Sequence, residues 1–123
     1  MMYLRRLIGL SLPFTAACVA APPAAAVRVE IDALLAALSD SGCRFDRNGD
    51  WHEAAEARAH LQRKLDHLLK RDAIGTAEEF IERAASRSSI SGDAYQVKCG
   101  GDAPVASRDW LSGRLAELRK AHD

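Results

Sequence analysis

An α+β domain, with about four helices around a small three-stranded antiparallel sheet and one disulfide, is predicted by three features of this sequence. Apolar residues recur at helical spacing in four separate stretches, and they alternate with polar ones at strand spacing around Val97. An Asn48-Gly49 pair stands between two short strand-forming runs. That is the strongest local hairpin signal, because both residues tolerate the positive φ of a type I′ turn. Finally, Cys43 at the root of the hairpin and Cys99 at the end of the alternating run form an even pair once the leader is set aside.

Residues 1–26 read as an export signal. Arg5 and Arg6 make a positive n-region, Leu7 to Ala17 an apolar h-region, and Ala24-Ala25-Ala26 a small-x-small cleavage site. The apolar run is too short to span a membrane, and Pro13 interrupts it. The twin arginines lack the wider twin-arginine context, which points to general secretion. Cleavage after Ala26 leaves residues 27–123 as a single domain. It removes two arginines and no acid, so 17 basic and 17 acidic residues become 15 and 17. That balance gives no basic footprint for nucleic acid. An alternative is lipoprotein processing at Thr15-Ala16-Ala17-Cys18, although Thr15 stands where leucine is usual. Val19 to Val27 would then tether the domain to a lipid anchor at Cys18. The expected location is periplasmic or secreted, or lipid-anchored in the cell envelope.

The first helix follows from Val27, Ile31, Leu34, Leu35 and Leu38, which share one face, with Arg28, Glu30 and Asp32 off it. Ser41-Gly42 ends it, with Gly42 as a left-handed cap. In the hairpin, a two-residue turn places Phe45 opposite His52. A three-residue turn with Gly49 in a bulge places it opposite Trp51. Asn-Gly favours the first, an aromatic pair the second. The second helix spans about Glu53 to Arg71 and buries Ala54, Ala57, Leu61, Leu65 and Leu68. After a break at Asp72 to Gly75, Thr76-Ala77-Glu78-Glu79 is a capping box. It opens a third helix with Phe80, Ile81, Ala84 and Ala85 inward. That helix ends in the serine-rich run Ser86 to Ser91, and Gly92 turns the chain. Tyr95, Val97 and Cys99 alternate with Gln96 and Lys98 as a half-buried strand. Gly100-Gly101 and Pro104 form a loop. A last helix from about Arg108 to Lys120 buries Trp110, Leu111, Leu115 and Leu118, with Ser107 as its N-cap.

With Cys18 removed or lipidated, Cys43 and Cys99 remain as an even pair in an oxidising compartment, two free thiols being the alternative. A bridge between them closes a loop of 57 residues counting both ends. By constraining the unfolded chain it contributes about 4 kcal/mol, a large share of the stability of a small domain. Its Cα atoms must approach within about 7 Å, which sets the strand at 95–99 beside the hairpin.

Candidate chemistry is sparse. His52-Glu53-Ala54-Ala55-Glu56 approaches the zinc-peptidase pattern but carries Glu56 where that pattern needs a second histidine. With Leu61 at the centre of the buried stripe, His52, Glu56, His60 and His67 fall on the opposite, solvated face. Asp46-x-Asn48-x-Asp50 opens like a calcium loop, but Trp51 and Ala57 occupy the two diagnostic places. Ser86, Ser88, Ser89 and Ser91 have no histidine near them in sequence to act as a base, and read as caps and turn residues. Arg83 and Arg87 beside those hydroxyls make an anion site the second reading of this corner.

Several motifs carry a resemblance. Ser-Gly-Cys-x-Phe-x-Arg-Asn-Gly (41–49), Ala-x-x-His-Leu (57–61), Thr-Ala-Glu-x-Phe-Ile (76–81) and Ala-Ser-x-Ser-Ser-x-Ser-Gly-x-x-Tyr (85–95) resemble the YfeK-like family of small exported bacterial proteins. Trp110-Leu111 fits as well. The resemblance implies a periplasmic setting and one compact domain, and supplies no activity. Ser91-Gly92-x-x-Tyr95 also looks like the Ser-Gly-x-x-Tyr motif of periplasmic lysozyme inhibitors, where a loop serine enters the lysozyme cleft. Those proteins are β-rich and carry a second, lysine-bearing motif that is absent here.

The resulting expectation is a non-enzymatic binding or envelope-associated protein. No catalytic, cofactor-binding or metal-ligating residue is assigned, and no cofactor is expected. Recognition is placed on the loop from Ser86 to Tyr95, through Arg87, Ser88, Ser91, Gly92 and Tyr95. The expected partner is an envelope protein or a glycan, with no nucleic acid and no membrane span. The alternatives are a lysozyme-inhibitor-like binder and a small hydrolase. A convex loop at 86–95 favours a binder, a concave pocket gathering a histidine with serine or glutamate a hydrolase.

Overall fold

In the computed structural model the described residues are 24–122, together with Gly9 and Ser11. The signal-peptide and lipobox assignments, Cys18 included, lie outside them apart from Gly9, Ser11 and Ala24 to Ala26. Helix α1 spans Ala24–Asp40, starting three residues before Val27 because a run of alanines continues the helix at little cost. Its face of Val27, Ile31, Leu34, Leu35 and Leu38 is buried. The Ser41 hydroxyl donates to the Leu38 carbonyl at 2.7 Å, and Gly42 turns the chain at φ 69°.

Strands β1 (Arg44–Arg47) and β2 (Asp50–Glu53) form the hairpin. Phe45 pairs with His52 and Arg47 with Asp50, so the turn is the two-residue one. Asn48 and Gly49 take φ of 56° and 86°, as a type I′ turn requires. β2 leads without a loop into α2 (Ala54–Leu69), whose Ala54, Ala57, Leu61 and Leu65 are buried and whose Leu68 is partly so. Helix α3 (Ala77–Ala84) begins at Thr76, whose hydroxyl accepts from the Glu79 amide at 3.1 Å.

Strand β3 (Gln96–Lys98) pairs antiparallel with β1, setting Val97 opposite Phe45. The sheet has four strands rather than the expected three. Val105–Ala106 forms β4 against β3, giving the order β2-β1-β3-β4. Two residues are too few to show alternation, and Pro104 just before them reads as loop. Helix α4 (Ser107–Ala121) follows at once. Ser107 is not its N-cap. It is the first helical residue, and its amide donates to the Tyr95 carbonyl at 2.9 Å, continuing the ladder. Its buried hydroxyl has no hydrogen-bond partner among the described residues.

The inner face of the sheet and the four helices enclose one core, in which Phe45, Tyr95 and Val97 meet Leu34, Leu38, Leu61 and Phe80. Cys43 and Cys99 are joined, with Cα atoms 4.3 Å apart, locking the hairpin root to the end of β3. Arg119 of α4 pairs with Glu30 of α1 and Glu78 of α3, fastening three helices at the surface.

Candidate functional site

The serine corner is built mainly for its own closure. The Ser86 hydroxyl donates to the Ile81 carbonyl at 2.6 Å, terminating α3. Buried Ser88 accepts from the amides of Ile90 and Ser91, both at 3.2 Å, while the Gly92 amide, at φ 77°, donates to the Ser88 carbonyl. Exposed Ser91 donates its hydrogen to Asn48 Oδ1 at 2.6 Å, tying the corner to the hairpin tip. Arg87 points outward to Glu82 at 3.2 Å. The five residues expected to act together are thus divided. Ser88 and Ser91 hold the loop, Arg87 and Gly92 line a depression toward α4, and the Tyr95 hydroxyl faces α2.

That hydroxyl is the centre of a different cluster. Strand alternation puts Arg47 in phase with Phe45, toward α2. Helical spacing puts His60, Arg63, Lys64 and His67 along one flank of α2. Arg47 Nη1 lies 2.6 Å from His60 Nδ1, and His60 Nε2 lies 3.1 Å from Tyr95 Oη. A guanidinium can only donate, so Nδ1 accepts and the ring hydrogen sits on Nε2, donating to Tyr95. Lys64 Nζ donates to Tyr95 Oη at 3.1 Å and to the Arg87 carbonyl at 3.0 Å. Tyr95 Oη therefore accepts twice, and its own hydrogen has no acceptor among the described residues.

The electrostatics follow from this crowding. Burial first, then the charges of Arg47, Lys64 and Arg63, hold His60 down to about 4. Burial, helped by Arg47, lowers Lys64, and burial raises Tyr95. At neutral pH the cluster holds a neutral imidazole and a neutral phenol between two cations. Among the described residues no carboxylate pairs with Arg47, Arg63 or Lys64. Every side chain in the cluster offers a donor, and the acceptors present, His60 Nδ1, Tyr95 Oη and the Arg87 carbonyl, are all uncharged.

Two open depressions flank it, sharing His60 and Arg63. One, of about 200 Å³, is floored by Phe45, Ala57 and Ala59 and holds Arg47, His52 and Glu56. The other, of about 260 Å³, holds Lys64, His67, Leu68, Arg83 and Ser89. His60 does not lie on a solvated face, as the helical wheel of α2 alone suggests. It flanks the buried stripe, and Tyr95, arriving from the corner, covers it. His52 is in β2 rather than on the helix and pairs with Glu56 at 3.0 Å. Among the described residues no group of three or more His, Cys, Asp or Glu could hold a metal ion. Arg47 and Lys64 are the site residues the sequence reading missed. The in-phase position of Arg47 with Phe45, and the one-turn spacing of Lys64 from His60, were the available signals.

No solved structure matches this chain. An uncharacterised protein, YfeK, of Salmonella typhimurium is 47% identical over 66 residues, which cover 53% of this chain and 53% of that protein. The matched region thus spans about half of its curated relative. A family of unknown function, DUF5329, matches residues 25–119. That match takes in the hairpin, the disulfide, the serine corner and the groove around Tyr95, and by it the chain belongs to this family, in which no function is established.

Proposed function

We propose that this protein is an exported, non-enzymatic binding domain of the cell envelope, and that it seats an anionic group of its ligand in the groove around Tyr95. Residues 1–26 are the proposed signal peptide and residues 27–123 the domain. The observation that carries the binding site is the donor surplus. Arg47, His60, Lys64 and Tyr95 converge within hydrogen-bond distance of one another, with Arg63 alongside and no paired carboxylate among the described residues. A half-buried cation whose hydrogen bonds reach only neutral acceptors costs free energy that a bound anion recovers. Export is supported by the leader and by a disulfide that an oxidising compartment sustains. Among the described residues no helix is long and apolar enough to cross a membrane.

The hydrolase reading draws less support. Both depressions gather the residue types that reading needs, His52 with Glu56 in one and His60 and His67 with Ser89 in the other. The first, however, has no hydroxyl or thiol among its lining residues, and no hydrogen bond joins Ser89 to a histidine among the described residues. His60 has committed both ring nitrogens. The lysozyme-inhibitor reading requires the Ser91 hydrogen, which is given to Asn48 at 2.6 Å.

Calorimetric titration of the purified exported protein with inorganic phosphate, sulfate and acetate tests the binding site. Saturable binding that Arg47→Gln and Lys64→Met each weaken about ten-fold is expected, the scale of a lost hydrogen bond to a charged group. Absence of binding at millimolar anion rejects the groove. Intact mass tests export separately: a mature N-terminus at Val27 is expected, and a diacylglyceryl-modified Cys18 would replace it with the lipoprotein reading.

A further inference from the structure

The opposite face of the sheet carries a second, unrelated set of side chains. Register and alternation place Glu53, Arg44 and Lys98 in one row and Trp51, Asp46 and Gln96 in the next, all turned away from Phe45 and Val97. No helix covers this row. Trp51 is 37% exposed, although it is one of only two tryptophans in the chain. Between Trp51, Arg44 and Lys98 lies an open basin of about 340 Å³, rimmed by Gly42 and Gly100. Both glycines have positive φ, and nothing stands within 4 Å of where a Cβ would be, so the rim is bare backbone. These glycines adjoin Cys43 and Cys99, and the disulfide therefore fixes one end of the basin.

The chemistry differs from that of the groove. In the groove the two aromatic rings, Phe45 and Tyr95, are each 1% exposed, and Tyr95 offers only its hydroxyl. Here an accessible indole stands beside two basic side chains. Arg44 has one long, exposed pairing with Glu53 at 3.6 Å, and Lys98 has no ion pair among the described residues. An indole face is electron-rich and attracts the polarised C–H groups on the flat side of a pyranose ring. Two cations at its edge favour a carboxylate. Against them stand two acids on the same face: Glu53, which pairs with Arg44, and Asp46, whose Oδ1 is buried without a hydrogen-bond partner among the described residues. Neither acid is among the residues lining the basin. A ligand that satisfies both at once has a sugar ring and an acid on it.

We propose that this basin is a binding site for an acidic saccharide of the uronic-acid type, with a pyranose ring against Trp51 and its carboxylate between Arg44 and Lys98. The site is independent of the groove around Tyr95, since the two lie on opposite faces of the hairpin. A rigid rim and a preset strand register keep the ordering cost of binding low.

The test is titration of the oxidised protein with trigalacturonate and with neutral galactotriose, by calorimetry and by the indole N–H resonance of Trp51. Trigalacturonate is expected to bind, shift that resonance and weaken as salt is added. Trp51→Ala and Lys98→Glu should each reduce affinity about ten-fold or more, and Trp51→Tyr, which keeps a ring face, should recover much of it. Unchanged melting temperatures in these surface variants confirm that the fold is intact. Equal binding of galactotriose overturns the proposal, as does retention of full affinity in Trp51→Ala. Binding abolished by Lys64→Met but not by Trp51→Ala assigns the ligand to the groove instead, and overturns the basin while sustaining the anion site. Absence of binding to either sugar overturns the basin alone, because phosphate titration reads the groove separately.

Discussion

His60 sits in an environment far from its solution chemistry. Its imidazole is wedged between Arg47 and Tyr95 with Lys64 and Arg63 nearby, and is held down to about 4 from an ordinary value near 6.5. A depressed native value means that the unfolded chain takes up the proton first as pH falls. Stability from a neutral His60 is therefore complete above about 6.5 and is lost as pH drops toward 4. Urea unfolding at about pH 7.5 and about pH 4.5 should show a larger loss in the wild type than in His60→Gln, which cannot titrate. Equal losses would place the pH dependence on other groups. An anion in the groove acts in the opposite sense. It favours the protonated imidazole, so binding should take up a proton and tighten as pH falls through this window.

At the scale of elements, the junctions matter more than the interiors. β2 runs straight into α2 and β4 straight into α4, and neither helix has a side-chain cap. At the second junction Ser107 serves both elements: its amide completes the ladder to Tyr95, and its hydroxyl is left buried without a partner among the described residues. An unpaired buried hydroxyl costs free energy that a methyl group does not. Ser107→Ala is thus expected to leave the melting temperature unchanged or raise it, whereas a true N-cap serine replaced by alanine would lose about 1 kcal/mol. A clear drop on thermal unfolding would mean that a bound water pairs the hydroxyl. The corner between α3 and β3 illustrates a related economy, in which Ser86, Ser88 and Ser91 each bond to backbone or hairpin, leaving Ser89 to line the groove.

At the scale of the molecule, a covalent tie and a surface clamp join parts distant in sequence among the described residues. The Cys43–Cys99 bond spans a sequence separation of 56, holding the hairpin root to β3. Cys43→Ala with Cys99→Ala should lower unfolding free energy in urea by about 2–5 kcal/mol. A change below about 1 kcal/mol would show that packing alone sustains the sheet. Arg119 spans α1, α3 and α4 through Glu30 and Glu78. Its pairs are exposed, and their contribution is screened by salt.

The elements were legible in the residues themselves. Periodicity marked the core faces of all four helices, Asn48-Gly49 marked the turn and through it the Phe45–His52 register, and the cysteine pair marked which strand lies beside the hairpin. These signals are local, set by the spacing of apolar side chains and by φ preferences that act within a few residues. The site was not legible in the same way. Arg47, His60, Lys64 and Tyr95 come from β1, α2 and the residue just before β3, and each alone reads as a surface cation, a wet histidine or a strand anchor. Only packing of the corner over α2 brings Tyr95 onto His60, removes water from it and turns separate donors into one field. The fourth strand escaped for a similar reason. Two residues show no period, and their pairing depends on β3 already being in place.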